Sequence, residues 1–218
     1  MIVSKINFLA KSRRNKMRRN LKNNDITFLC PNCIGGIIFH DLGLKFMSPT
    51  VNLMLTQTDF VKYISNLDEY NNGKFEFFDY SEYKCPCARL SAPSLDTITV
   101  CFTHYADPQN AENKWNERKE RINKDNLFVF LEERDGITFD EIKALSDLNL
   151  KGLVVFTAHK YDLPYTVYID KYNADGEVGN ILRKNHLTES REYEKYFDFV
   201  KWFNEADGGN YDVSKFII

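Results

Sequence analysis

The chain has 218 residues, which is enough for one large domain or two small ones. Hydrophobic residues make up 43% of it and charged residues 28%, a balance that excludes disorder over the whole chain. The sequence contains no apolar run near the roughly 20 residues that a membrane-spanning helix needs. The stretch Met1–Ala10 is too short and polar for a secretory signal, so we expect a cytoplasmic location.

Residues 1–24 are a basic N-terminal arm with a helical pattern. The net charge of the chain is −2, yet every charged residue before Asp25 is Lys or Arg. Such an arm suits anionic headgroups at the inner face of the membrane or nucleic-acid phosphates, and it equally fits a solvated leader. Because the rest of the chain is acidic and carries no aromatic and basic recognition module, we expect no nucleic acid partner.

Residues 25–218 alternate between short apolar runs and helical patterns. Strands are predicted at Ile26–Cys30, Val51–Leu55, Leu95–Tyr105, Leu127–Leu131, Leu153–Thr157 and Thr166–Ile169, and Phe75–Tyr83 with the following Cys-Pro-Cys is predicted to form a hairpin or an extension. Helices are predicted from Gly35 to Gly43, after a Thr58 cap, after Asp107 or Asn110, after a Thr138 cap, and over Arg191–Asn204. The alternation predicts an α/β fold with a parallel-rich sheet, flanking helices and two α/β subdomains divided near residues 68–93.

The cysteines are Cys30, Cys33, Cys85, Cys87 and Cys101. Cys30 and Cys33 follow a predicted strand with two residues between them, a spacing found in redox pairs and in half of a zinc site. Cys85 and Cys87 could supply the other half, but one intervening residue is tight for zinc. An odd count without an export signal is not a disulfide framework. We therefore predict no metal site, and small buried residues are the alternative interpretation.

A motif separate from the cysteine spacing is the predicted strand-to-helix turn at Cys33, which precedes Gly35 and Gly36. The positive end of the helix dipole suits a thiolate nucleophile there, and His40 is a candidate base. The same turn, with Asn32, offers backbone N–H groups to a phosphate, and the glycines let a ligand approach the backbone. The competing interpretation is a tight contact between helix and strand.

Polar residues also lie at the C-terminal end of the third predicted strand. His104, Tyr105 and Asp107 lie where ligands bind in open α/β sheets, outside the carboxyl ends of the strands. His104 or Asp107 can act as a base, and Tyr105 can contact the substrate; a buried, hydrogen-bonded histidine is the alternative. His159 and His186 have no evident partner in the sequence, and we assign them surface or structural roles.

Arg118 and Arg121 are three residues apart and share one face of a predicted helix. Two guanidinium groups on one face suit a pyrophosphate or a carboxylate. Glu117 and Glu120 are close in sequence, so a solvated charged face is the alternative. The further candidates for substrate binding are Asn123, which follows the arginines, and Ser48, Thr50 and Asn52, which lie in a loop that enters a strand.

Six segments are more specific together than any one alone. They are Asn32-Cys33-Ile34-Gly35-Gly36, His40-Asp41-Leu42-Gly43-Leu44-Lys45-Phe46, Ser48-Pro49-Thr50 with Asn52, Asp59-Phe60, Phe102-x-His104-Tyr105 and Trp115-x-x-Arg118-x-x-Arg121-Ile122-Asn123. This pattern resembles a bacterial family of unknown function that is usually labelled exopolysaccharide biosynthesis protein. The resemblance covers residues 24–205 and implies two α/β subdomains and a place in capsule, O-antigen or lipooligosaccharide synthesis. It carries over no catalytic residue.

These observations lead to three functional hypotheses. The first is a transferase of cell-surface polysaccharide synthesis, a glycosyltransferase that uses a nucleotide-activated sugar or another phosphorylated small molecule. In it the glycine pair admits the phosphates, the arginine pair neutralises them, and His104 or Asp107 is the base. The second is a Cys–His enzyme of acyl transfer or hydrolysis acting on a glycan, with Cys33 as the nucleophile and His40 or His104 as the base. The third is a non-catalytic binding or scaffold protein of the assembly machinery. The pattern specifies no cofactor.

Overall fold

The computed structural model describes residues 2–79 and 84–218 and confirms the predicted α/β class. The strands are β1 (Thr27–Leu29), β2 (Lys74–Phe78), β3 (Cys87–Ser91), β4 (Ile98–Cys101), β5 (Leu127–Glu132), β6 (Gly152–Thr157) and β7 (Thr166–Tyr168). The helices are α1 (Ile2–Asn20), α2 (Ile34–Leu42), α3 (Gln57–Ser65), α4 (Leu67–Asn71), α5 (Pro108–Lys119), α6 (Phe139–Ala144) and α7 (Phe199–Glu205). Within the described ranges, none of the helices has both the length and the apolar character needed to cross a membrane.

The central sheet is parallel, with strand order β1-β5-β6-β7. β5 and β6 are buried at every position, as their continuous apolar sequences predict for strands covered on both faces. Because successive side chains point to opposite faces, Phe128 and Phe130 enter one core, while Val129 and Leu131 enter the other. The first core includes residues of α2 and α7, and the second includes residues of α3, α5 and α6.

The second sheet is antiparallel, with strand order β2-β3-β4, and packs into the second core. The pairing of β2 with β3 confirms the predicted hairpin, although residues 80–83 of the predicted segment lie outside the described residues. Cys87 and Cys101 face each other across β3 and β4 and form a disulfide. Phe60 and Val129 belong to one core cluster, so residues on both sides of the suggested split share a core; the two-subdomain division stays a prediction.

Three predicted elements differ from the structure. The stretch Val51–Leu55 is not a strand: Asn52 has a left-handed φ of 62°, and Met54 forms only an isolated bridge with Cys101. The cap of α3 is Thr56 rather than Thr58, since the Thr56 hydroxyl accepts the backbone N–H of Asp59 at 3.2 Å.

The predicted helix over Arg191–Asn204 is interrupted. A short 3₁₀ turn covers Glu192–Lys195, and α7 begins after Asp198, whose side chain caps it. The interruption arises because Phe197 forms a β-bridge with Ile217, and the N–H of Asp198 donates to the carbonyl of Phe216. The residues between the 3₁₀ turn and α7 therefore pair with the C-terminal segment and are not helical.

The basic arm is a helix, α1, and it is docked on the domain. Ala10 is buried, and Met17 packs against the first core. Arg13 forms ion pairs with Asp41 of α2 and with Glu194, and Arg14 pairs with Glu189. A free leader would make no such contacts, so the half-buried arginines of the arm hold it in place.

Candidate functional site

The candidate site is built on the turn between β1 and α2. Cys30 is buried at the carboxyl end of β1, and Cys33 occupies the N-cap position of α2. The side-chain amide of Asn32 holds the turn through both its oxygen and its nitrogen. Its Oδ1 accepts the N–H of Ile34 at 3.0 Å, and its Nδ2 donates to the carboxyl group of Glu132 at the end of β5. This turn therefore places the half-buried Cys33 at the start of α2.

Cys33 meets His104, which follows β4 of the other sheet. The Cys33 Sγ lies 3.4 Å from the His104 Nε2 and 3.8 Å from the Thr103 hydroxyl. The Thr103 hydroxyl in turn donates to the backbone carbonyl of Asn52 at 3.1 Å. A thiol at a helix N-terminus, in contact with an exposed imidazole, is the arrangement that a cysteine nucleophile and its base require.

The two glycines after Cys33 serve close packing. A Cβ on Gly35 would lie 2.5 Å from the Cys30 Sγ, and a Cβ on Gly36 would collide with the side-chain oxygen of Asn52. Both glycines are buried. The interpretation of a tight helix contact is therefore supported at both positions, and that contact brings α2 close enough to hold Cys33 against the segment that carries His104.

Glu132 is a buried carboxyl group beneath the candidate nucleophile. Burial raises its pKa to about 7, although Arg134 and the hydrogen bond from Asn32 act in the opposite direction. Its backbone N–H donates to the side-chain oxygen of Gln57, at the start of α3. Our sequence analysis did not select Glu132 or Gln57. The signal that could have identified Glu132 is the pair Glu132-Glu133, which directly follows the apolar run Leu127–Leu131.

A cleft of about 450 Å³ opens beside the turn. Its lining combines polar and apolar groups: Asn32, Met54, Leu55, Thr56, Gln57, Asp59, Thr99, Cys101, Arg134 and Asp135. The side-chain amide nitrogen of the buried Gln57 has no hydrogen-bond partner among the described residues, so it is available to a ligand in the cleft. Asn32 lies in the wall of the cleft and precedes Cys33 in the chain, while Cys33 and His104 themselves lie outside the lining.

The model of the family "Domain of unknown function (DUF1919)" matches residues 4–204. The chain belongs to this family. It is also similar to a protein of Haemophilus influenzae that bears the name "Uncharacterized protein". The two are 35% identical over 191 residues, which covers 87% of this chain and 89% of that relative.

In this DUF1919 chain, His40 lies away from Cys33, and the carboxylate of Asp107 has a structural partner. His40 is in the last turn of α2, seven residues from Cys33 and about 10 Å along the helix axis, and its side chain is 77% exposed. It therefore cannot contact the thiol as a base. Asp107 is the N-cap of α5, and its carboxylate accepts the N–H of Asn110 at 2.7 Å. The structure thus supports His104, and not His40, as the partner of Cys33.

The predicted phosphate-binding arginines bind groups of the protein itself. Arg118 donates to the carbonyl of Val51 at 3.2 Å and to the Tyr105 hydroxyl. Arg121 donates to the carbonyl of Phe46 at 3.1 Å and pairs with Glu117. These contacts fix the loop before α3 onto α5, and a phosphate would have to displace them.

Three other substrate-binding candidates have structural partners. Ser48 and Thr50 are buried and share a hydrogen bond of 2.9 Å between their hydroxyl groups. Asn123 precedes β5, and its N–H donates to the Thr27 hydroxyl at the start of β1. Because β1 and β5 are parallel, Asn123 lies at the opposite edge of the sheet from Cys33. Thr50 does reach the turn, since its hydroxyl accepts the N–H of Cys30 at 3.5 Å, whereas Asn123 is not brought to the candidate site.

The other cysteines do not join Cys33 in a metal-binding group among the described residues. Cys87 is joined to Cys101, which removes it from the zinc site that we considered. In residues 2–79 and 84–218, no three His, Cys, Asp or Glu side chains are arranged to hold a metal ion. The buried Cys30 has a raised pKa because of desolvation, so it is a poor nucleophile.

His159 has a structural partner that is not evident in the sequence. Its Nδ1 lies 2.7 Å from a carboxylate oxygen of Glu133, which follows β5. Desolvation favours the neutral form of Glu133, but hydrogen bonds from Tyr161, His159 and Ala158 outweigh it, and the pKa of Glu133 is lowered. Glu133 thus joins the carboxyl ends of β5 and β6.

Proposed function

We propose that the chain is a Cys–His enzyme of acyl transfer or hydrolysis, with Cys33 as the nucleophile and His104 as the base. The observation that carries this proposal is the 3.4 Å distance between the Cys33 Sγ and the His104 Nε2 at the N-terminus of α2. The resemblance described above favours a glycan of bacterial cell-surface polysaccharide synthesis as the substrate. The cleft beside Asn32 is where that substrate would bind.

The proposed reaction has two steps. The His104 Nε2 takes the thiol proton as the Cys33 sulfur attacks the acyl carbon, and a carbon–sulfur bond forms. The bond from the acyl carbon to the leaving oxygen breaks, and His104 returns the proton to that oxygen. A hydroxyl group of an acceptor, or water, then attacks the thioester, with His104 again as the base. The Cys33 thiol is regenerated.

Alkylation tests the proposal directly. We expect iodoacetamide at neutral pH to modify Cys33 about ten times faster than Cys85, because His104 accepts the thiol proton and the N-terminus of α2 stabilises negative charge. His104→Ala should remove most of this difference. The measurement is the rate of modification of each cysteine peptide by mass spectrometry, on the full chain.

Cys85 is the comparison thiol, since it is also a free and partly exposed cysteine, and His104→Ala is the matched control because it leaves Cys33 in place. Desolvation raises its pKa, and neither a His contact nor a helix N-terminus stands beside it among the described residues. A second readout is the acetyl group left on the Cys33 peptide after treatment with p-nitrophenyl acetate. Equal alkylation rates at the two cysteines, with no acetyl group on Cys33, would refute the nucleophile and favour the scaffold hypothesis.

The cleft favours a second candidate, a transferase that uses a nucleotide-activated sugar. Arg134 and the unpaired amide of Gln57 give it a cation and a hydrogen-bond donor for phosphate oxygens. In this version Arg134 takes the role that our sequence analysis gave to Arg118 and Arg121. The acidic Asp59 and Asp135 in the same lining count against it.

A thermal-shift panel of nucleotide sugars examines this second candidate. A ligand present at 100 times its dissociation constant should stabilise the fold by about 2.7 kcal/mol, a rise of a few degrees in Tm. The shift should disappear in Arg134→Ala and persist in Arg121→Ala, the control arginine outside the cleft. A panel without any shift from a folded sample would exclude a nucleotide sugar as a tight ligand.

A further inference from the structure

One side of the docked helix α1 packs against the rest of the domain, and the other side is exposed to solvent. Arg13 and Arg14, on the inner side, are held by Asp41, Glu189 and Glu194. Arg18 donates to the backbone carbonyls at the end of α2. Any surface that binds to the outer side therefore meets a helix whose position is already fixed.

The outer side of α1 carries positive charge that the protein does not neutralise. Lys11, Lys16 and Arg19 of α1, and Lys22 just after it, are exposed and make no ion pair with any residue in the described ranges. The sequence has no acidic residue before Asp25. A fixed row of unpaired cations creates a local positive potential, even though the whole chain has a net charge of −2.

Large apolar side chains stand exposed beside these cations. Phe8 is 70% exposed and Leu9 is 47% exposed, and both lie on α1. Leu187 is 60% exposed and lies two residues before Glu189, which pairs with Arg14. Phe8 is three residues before Lys11, so these two side chains share one face of α1.

One basic groove adjoins α1, and a second lies in the segment before and after Glu189, where Lys184 pairs with Glu189. A groove of about 590 Å³ between α1 and α7 is lined by Lys16, Arg19, Lys22 and Lys201, with the carboxylates of Asp198 and Glu205 also present. A groove of about 350 Å³ is lined by Arg183, Lys184, His186, Arg191 and Lys195, with Glu192. Glu192 is already engaged by Lys171 and Lys195. Both grooves have the size and charge to receive phosphate groups.

We propose that this basic face, made of the exposed cations and apolar side chains on the outer side of α1, binds a lipid surface rich in anionic headgroups. Cations in a row attract the headgroups, and the exposed Phe and Leu side chains enter the boundary between headgroups and acyl chains. A nucleic acid would use the cations but would leave the aliphatic side chains without a role. The proposal does not depend on the chemistry of Cys33.

Vesicle co-sedimentation tests the proposal with the full chain. We expect retention on vesicles of equal parts phosphatidylglycerol and phosphatidylcholine, and none on phosphatidylcholine alone. Lys16→Glu/Arg19→Glu should weaken the retention about tenfold or more, since each cation near such a surface contributes to binding. Raising the salt from about 0.1 M to about 0.5 M should weaken it similarly, because salt screens exposed charges.

The matched control is Lys74→Glu/Lys143→Glu, which makes the same change of charge at exposed positions on β2 and α6. It should retain the binding of the unmodified protein. Phe8→Ser should weaken binding without changing the net charge, which separates insertion from simple attraction. Equal retention of all variants, or tighter binding to an oligonucleotide than to the anionic vesicles, would overturn the proposal.

Discussion

Replacing Glu132 with glutamine will raise the free energy of unfolding by about 3 kcal/mol at about pH 8, and by almost nothing at about pH 4. Burial raises the pKa of Glu132 from its ordinary value of 4.5 to about 7. Between these two values the folded state binds more protons than the unfolded state, so stability falls as the pH rises. Above about pH 7 the full cost of the buried charge is present, and glutamine removes it.

The measurement is urea unfolding of both proteins over that pH range. Glu133→Gln is the control on the adjacent residue, and its effect should have the opposite sign. The pKa of Glu133 is lowered, so its ionised form adds stability above the ordinary value of 4.5, and this stability is lost as the pH falls through the folded pKa. A Glu132→Gln protein that is no more stable than the unmodified chain at pH 8 would show that Glu132 is not a costly buried charge.

Trp202→Ala should lower the free energy of unfolding by about 3–5 kcal/mol, the largest loss that we predict. Trp202 is 1% exposed and packs edge-on against Phe128 at 4.8 Å and against Phe197 at 5.5 Å. Its removal leaves a cavity between α7 and the central sheet. Chemical denaturation at one pH measures this loss.

The control for Trp202 is an aromatic residue that lies at the surface. Phe139 is 42% exposed and contacts the ring of Tyr161 at 4.9 Å. Phe139→Ala should cost less than about 1 kcal/mol, because little area is removed from water and no closed cavity forms. If both variants lowered the free energy of unfolding by the same amount, the burial of Trp202 in the first core would not explain its loss.

The central sheet could be predicted because its strands are covered on both faces. A run such as Leu127–Leu131 contains no polar residue, and this pattern is typical of a strand in a parallel sheet. Val51–Leu55 has a similar composition but is buried by packing between loops and not by strand pairing. Hydrophobicity reports burial, and it does not distinguish a strand from an irregular segment packed under α3.

The candidate site was predictable residue by residue but not as an assembly. Cys33 and His104 could each be chosen because they follow predicted strands, yet those strands belong to different sheets. The hydrogen bond between Asn32 and Glu132 joins residues 100 positions apart. Such pairs depend on strand order and on the packing of two sheets. Sequence periodicity contains no information about either of these.

The helix α2 has a geometric consequence for the size of any substrate. Its first residue follows Cys33, and near its other end Asp41 holds Arg13 of α1. Eight residues separate Cys33 from Asp41, a rise of about 12 Å along the helix axis. α2 therefore acts as a spacer of fixed length between the thiol and α1. A molecule anchored at the outer side of α1 must extend beyond that length, and across the width of α1, before its reacting group reaches Cys33.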